Sequence, residues 1–435
     1  MTSASGTDAW RAKEIDPMKH NEGLLDRPSP SRFCLDAVIC LAAGWLLYLV
    51  SCLFVAPSME VGSGFEVDWQ LMAADPFALV GRFPHRVLAP FLAWGLGFGA
   101  DGYLSFTHGL HVLLIGSAAF VALRMRAGYL GALLVGAAVA ITAPTQMYKL
   151  HWNGYTDPIC YTLFLWMIVA ARTPWLFWSI FLVNLTNHEL AGFLLPWLFY
   201  LRRCEDRAWR VDLCWIAGTC AVYLGFYMFV KSQAQQLFSA DYFLSHPLFP
   251  GGTFAVWNLA IVHLVTTFGP MLAVLAWHQH GRPARGERWH FWLVSLGVLV
   301  IFCIAFDWAR HSNLLVLPLV LAASRFVAAG RLHQLAFAGL LVVTSVLFEI
   351  VPPWSSTAWP TDQLANPLIL TRTGLLVISE GEFNIGFGTL GDAVLRWFPE
   401  VWHILLAVHA TGAGIWLAGW GMTRLRDPNG DRAGA

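Results

Sequence analysis

Apolar residues run along this chain in blocks of membrane length, separated by short polar stretches. A helix that crosses a bilayer needs roughly 20 predominantly apolar residues. By that ruler the segments fall at 35–56, 104–123, 128–144, 157–171, 174–187, 188–201, 211–230, 254–277, 290–306, 312–328, 333–350 and 401–421. The pattern predicts an all-α polytopic membrane protein with about 12 transmembrane helices. The pair flanking Asn187-His188-Glu189 is the shortest. At ~1.5 Å rise per residue, a segment such as 174–187 covers only ~21 Å. These two segments therefore either sit where the bilayer is thin or turn back inside the protein, where non-helical backbone lines a cavity.

One further apolar run, Val87 to Gly99, is not counted as a span. Cytoplasmic loops carry the excess of Lys and Arg. With Val87 to Gly99 read as a re-entrant or amphipathic helix at the outer face, 20 of the 27 basic residues fall inside and seven outside. Counting it as a span would invert every later loop. Both termini are then cytoplasmic. Only Lys13, Lys19, Lys149 and Lys231 of the 27 basic residues are lysines, a bias that fits a GC-rich bacterial genome, so the expected location is a bacterial inner membrane. The organisation is a polar tail over 1–33, a transmembrane domain over 34–422 with long outer loops at 57–103 and 351–400, and a tail over 423–435.

Composition agrees with this class: 57% of residues are hydrophobic, 12% are charged and 22 are Trp, where a soluble protein carries about 25% charged residues. The formal net charge is zero, so nothing points to a nucleic-acid partner. The eight cysteines lie in or beside apolar segments and imply no disulfide framework. His85, His151, His188, His246 and His311 lack local ligand spacing, so no metal site and no cofactor are expected. His108 and His111 share a helix face and read as packed core histidines.

The outer face holds the chemically capable residues. The first outer loop places Asp68 in an acidic stretch with Glu60, Glu66 and Asp75, then Arg82, His85 and Arg86 at the mouth of an apolar helix. Three cationic or protonatable groups there suit an anion, and arginine offers phosphate a bidentate fork. Asp75 is either a second acid or the cap of a helix opening at Pro76. A second cluster, Tyr148 to Pro158, sets Lys149, His151, Asn153 and Asp157 around Trp152 and Tyr155. It reads either as a sugar-binding platform or as an interfacial aromatic belt with Asp157 capping the next helix. His188 and Glu189 stand at the tip of the shortest hairpin, and a carboxylate at membrane depth is a functional candidate by default. Asp307, Arg310 and His311 form the last outer group.

The run Arg86, Val87, Leu88, Pro90 after an acid-bearing outer loop, the stretch NHELAGFLLPWLF from Asn187, and DWARHSNLLVLPLVL from Asp307 resemble the integral membrane glycosyltransferases of the GT-C superfamily, over about residues 50–350. The resemblance implies transfer of a sugar from a polyprenyl-phosphate donor to an envelope glycan, lipid or protein acceptor at the outer face. It assigns Asp68 as general base. Arg86, Arg310 and Lys149 would hold the departing phosphate, with His85 and His311 as secondary donors. Glu189 and Asp157 stand as further catalytic candidates, and Arg82, His151, Asn153 and His188 complete the substrate-binding set. Two alternatives stay open: a transporter or flippase of lipid-linked or anionic solutes, and an enzyme like an O-antigen ligase or polymerase. A transporter would place ionisable residues near mid-bilayer with access from both sides.

Overall fold

A computed structural model describes residues 25–26, 29–54, 57, 66–150, 153–205, 209–234, 268–280, 286–302, 308–347, 368–371, 374–379 and 382–385. The fold is built from α-helices: α1 (Pro30–Phe54), α2 (Glu66–Ala74), α3 (Leu88–Gly95), α4 (Tyr103–Arg124), α5 (Gly128–Ile141), α6 (Ala143–Leu150), α7 (Asp157–Ala170), α8 (Pro174–Leu185), α9 (Leu195–Glu205), α10 (Trp209–Gln233), α11 (Leu272–His280), α12 (Arg288–Phe302), α13 (Trp308–Ser312), α14 (Val316–Ala328) and α15 (Arg331–Leu347). A small antiparallel meander, β1 (Leu368–Thr371), β2 (Gly374–Ser379) and β3 (Glu382–Ile385), occupies the stretch read from sequence as a long loop.

Four helical stretches are long and apolar enough to cross a membrane: Pro30–Leu53, Tyr103–Arg124, Trp209–Gln233 and Arg310–Ala328. A fifth arises if α5 and α6, bent by 43° at their junction, are taken as one span. The expected count of about 12 is therefore not reached among the described residues. Helices do stand at most of the predicted positions, but α7, α8 and α12 are short, at 14, 12 and 15 residues. Proline opens α8 and stands at the second position of α7, where its missing N–H costs nothing. The predicted span 401–421, most of 254–277 and both tails up to Leu24 and beyond Ile385 lie outside the described residues. The first helix begins at Pro30, inside the predicted tail.

Val87 to Gly99 contributes only α3, eight residues long. At ~1.5 Å per residue this rises about 12 Å, too little to cross a bilayer. A second outer-loop helix, α2, and the short α6 stand where only loop was read.

The core forms where α1 and α4 cross on small residues. A Cβ at Gly44 would lie 2.7 Å from the backbone nitrogen of Gly116, and one at Gly116 would meet the Cys40 carbonyl oxygen at 3.0 Å. Such close approach is how helices gain contact in a medium with no hydrophobic drive between them. The α4–α7 seam closes with Phe120 stacked on Trp166, whose indole donates to Ser117 at 3.0 Å. Outward, α1 exposes Leu35, Val38, Trp45, Leu46 and Leu53, and α10 exposes Val222, Leu224, Met228 and Phe229. Apolar faces of this extent suit lipid contact.

Ion pairs tie the helices at the end opposite the candidate site. Asp36 of α1 receives Arg124 of α4 at 3.0 Å and the Tyr129 hydroxyl at 2.8 Å. Arg202 of α9 pairs with Asp212 of α10 at 3.0 Å and also donates to the Ala171 carbonyl. Arg172 pairs with Glu205 at 2.6 Å, and Arg325 with Glu287 at 2.6 Å. Several arginines that the charge count assigned to cytoplasmic loops are thus partners in buried or half-buried pairs. The reason is composition: each has an acid within the same helix-end layer. All seven described cysteines are free.

Candidate functional site

At the other end of the bundle, four stretches of sequence meet. They are the turn 81–86 leading into α3, the start of α7, the break between α8 and α9, and α13. The break forms because Asn184 and Asn187 pull the chain inward. The Asn187 amide donates to the Thr156 carbonyl at 3.1 Å, the Asn184 amide to the Cys160 carbonyl at 3.3 Å, and Leu88 N–H to the Thr186 carbonyl at 3.3 Å. These bonds hold the hairpin tip against α7 and α3, and a 3₁₀ turn, Glu189–Leu194, continues from it.

Glu189 is the centre. Its carboxylate takes the fork of Arg86, with Nε at 2.9 Å from Oε2 and Nη2 against Oε1, and His85 Nε2 stands 3.2 Å from Oε2. His188 Nδ1 lies 3.7 Å from the same oxygen. On its other side His188 Nε2 faces Arg310 Nη2 at 3.0 Å. Arg310 Nε reaches Asp157 Oδ1 at 3.2 Å. An Arg–Glu–His–Arg–Asp chain therefore runs through one end of the fold, with His311 buried beside it. Burial by itself would raise the pKa of Glu189, but Arg86, His188 and His85 together outweigh it and hold the carboxyl well below its usual range. Burial, and then the Arg86 charge, push His188 well below the ordinary histidine value.

Aromatic rings floor the network. The Arg86 guanidinium sits 4.1 Å from the Phe83 ring centre, and Arg310 lies 5.1 Å from that of Tyr155. His85 meets Tyr227 of α10 edge-on at 5.2 Å. Tyr161 donates to the Arg310 carbonyl at 3.1 Å and bonds Tyr148 at 2.9 Å. Phe83, Tyr161 and Tyr227 carry no signal as site residues in the sequence. Of these only Tyr161, one turn after Asp157, shares a helix with a residue singled out there.

Asp68 lies on α2 and is held by Arg82, whose Nε and backbone N–H stand 2.9 and 3.1 Å from its Oδ2. The turn 81–86 thus clasps Asp68 with its first residues and Glu189 with its last. Trp69, next to Asp68, packs edge-on against Tyr155 at 5.1 Å, the ring that lies beneath Arg310. Asp68 remains 21% exposed.

The remaining candidates take other places. Asp75 caps the short 3₁₀ helix at Pro76, accepting from Phe77 N–H at 3.0 Å. Asp157 is buried, with Oδ1 3.2 Å from Arg310 Nε. Tyr155 is 3% exposed, packed between Trp69 and Arg310, and offers no open platform for a sugar ring. Lys149 lies on α6 and extends its amine to α1, with Nζ 3.1 Å from Ser51 Oγ and 3.9 Å from Cys52 Sγ. That places it with Tyr48, which bonds His108 at 2.7 Å and stacks on His111. Asn153 is buried. His151, Trp152 and Asp307 lie outside the described residues. Among the described residues no group of three or more His, Cys, Asp and Glu is placed to hold a metal ion.

No family model matches the chain, no curated protein matches it, and no solved structure matches it.

Proposed function

We propose that this chain is a membrane glycosyltransferase, akin to the GT-C superfamily, that moves a sugar from a polyprenyl-phosphate donor to an envelope acceptor at the outer face. The observation that carries the reading is the meeting of His85, Arg86, His188, Arg310 and His311 at one end of an apolar helix bundle. Loss of the lipid phosphate builds negative charge, and cations preorganised in a water-poor site are what that step uses. Arg86 and His85 meet the phosphate, and Arg310, fixed by Asp157, supports them through His188. Asp68, at the rim of the same end and partly exposed, takes the proton of the acceptor hydroxyl. The test is sugar transfer from polyprenyl-phosphate donors in membranes carrying the wild type or Asp68→Asn. A fall of about a hundredfold or more supports the role of Asp68; unchanged transfer removes it.

A transporter of anionic lipid-linked solutes is the second reading, favoured by the interrupted helices α5–α6 and α8–α9. Broken helices beside buried charges are how transporters build their binding sites. Reconstituted vesicles that move a fluorescent lipid-phosphate sugar between leaflets, with no transfer activity, would decide for it.

A further inference from the structure

We propose that Glu189 is a stand-in for the substrate's anionic headgroup: its carboxylate occupies the subsite that takes the phosphate, and the incoming phosphate displaces it. The inference rests on the lipid-phosphate reading above and names what sets its selectivity.

Burial is unequal across the cluster. The side chains of His85, Arg86 and His188 are 7%, 4% and 2% exposed, whereas that of Glu189 is 31% exposed. Arg86 and the two histidines form the floor and the anion sits at the mouth. The floor also has supports of its own. Arg86 lies on Phe83, His85 on Tyr227, and His188 against Arg310. None of those contacts involves Glu189, so the donors keep their places when the carboxylate swings out.

The energetics favour an exchange over a filling of vacant space. A buried guanidinium without a counter-ion is costly, because desolvation is not repaid. Glu189 supplies that counter-ion while no substrate is bound. The phosphodiester of a polyprenyl-phosphate sugar accepts the same Arg86 fork and the same His85 donor with equal charge, and the polyprenyl phosphate left after transfer, a monoester, does so with more charge and an additional oxygen. Replacing one anion by another leaves the guanidinium paired throughout, and Glu189 moves toward the solvent it already touches. Neutral sugars and uncharged lipids have nothing to offer Arg86 and cannot evict the carboxylate. Glu189 thereby filters for anionic headgroups and sets how tightly they bind.

The full-length chain in detergent or nanodiscs is titrated with decaprenyl phosphate, inorganic phosphate and pyrophosphate, comparing the wild type with Glu189→Gln. Removal of the competing charge is expected to tighten decaprenyl phosphate binding about tenfold. Tightening with the inorganic anions alone supports displacement and makes the natural occupant a soluble anion. Equal affinity in both proteins overturns the displacement and leaves the lipid-phosphate reading intact, as does weaker binding in the variant, which would make Glu189 a direct contributor to binding. Binding of none of the three probes by either protein overturns both readings. Should Glu189→Gln not fold, Glu189→Asp carries the same comparison, since its shorter side chain keeps the charge but retreats from Arg86.

Discussion

Arg310 Nη2 lies 3.0 Å from Nε2 of His188, and a guanidinium has only donors to offer, so the ring accepts there. On its other edge Nδ1 accepts the Leu190 N–H at 3.3 Å and stands 3.7 Å from Glu189 Oε2. Donors on both edges disfavour a proton on the ring, and the imidazole links Arg310 to the Glu189 end of the network.

That arrangement sets the acid stability. His188 is held well below its ordinary value of 6.5, so below pH 6.5 the unfolded chain binds a proton that the folded one refuses. Stability falls as pH drops from 6.5 toward the folded value. Glu189 acts in the same direction lower down: its pairing stabilises the fold above the ordinary carboxyl value of 4.5 and is lost as pH falls through its depressed folded value. Thermal unfolding followed from pH 8 to 4 should show this decline, and His188→Asn should flatten its upper part. An unchanged profile in that variant would remove His188 as the source.

Arg86→Lys should lower sugar transfer about tenfold or more while leaving the protein folded, since lysine brings a point charge and cannot form the fork. Full activity in the lysine variant would show that bidentate geometry is not used.

Gly81 adopts φ +88°, and a Cβ there would lie 2.6 Å from the Cβ of Asp68. Gly81→Ala should cost about 1–2 kcal/mol for the left-handed backbone. It should also push Asp68 off Arg82. Loss of transfer larger than the loss of folded protein, measured on the same preparation, is the expected result.

The Arg202–Asp212 pair has both side chains at 0% exposure, and Asp212 also accepts from the Trp178 indole at 2.9 Å. Asp212→Ala leaves a buried guanidinium unpaired and should cost about 3–5 kcal/mol. Denaturant unfolding in mixed micelles gives the value. A cost under about 1 kcal/mol would mean the pair lies in a wetter place than this packing implies.

Much of the site was legible because charge is expensive beside lipid. Glu189 stood out on that ground alone, while Arg86 stood out as a donor for an anion, Asp157 in the cluster with Trp152 and Tyr155, and Arg310 in the last outer group. Their partners were not legible, since Arg86 and Glu189 lie 103 positions apart and Tyr161 and Arg310 lie 149 apart. Lys149 is a similar case: its cluster with Trp152 and Tyr155 read as part of a substrate site, and only the fold turns its amine toward Ser51. Asp75 was open between a second acid and a helix cap, and the structure shows the cap, with Phe77 N–H donating to it at 3.0 Å. The helix positions followed from the apolar blocks, but their lengths did not. Asparagines at 184 and 187 and prolines at 158 and 174 cut the blocks short in ways that hydropathy does not record.

The shortness of α8 has a consequence for where the substrate travels. Twelve residues rise only about 18 Å, against a hydrocarbon layer of about 30 Å. On the proposed reading, the bilayer must pinch toward the hairpin tip at Glu189. The layer of lipid phosphates then dips to the depth of Arg86, and a carrier drifting sideways meets the cations without leaving its own leaflet.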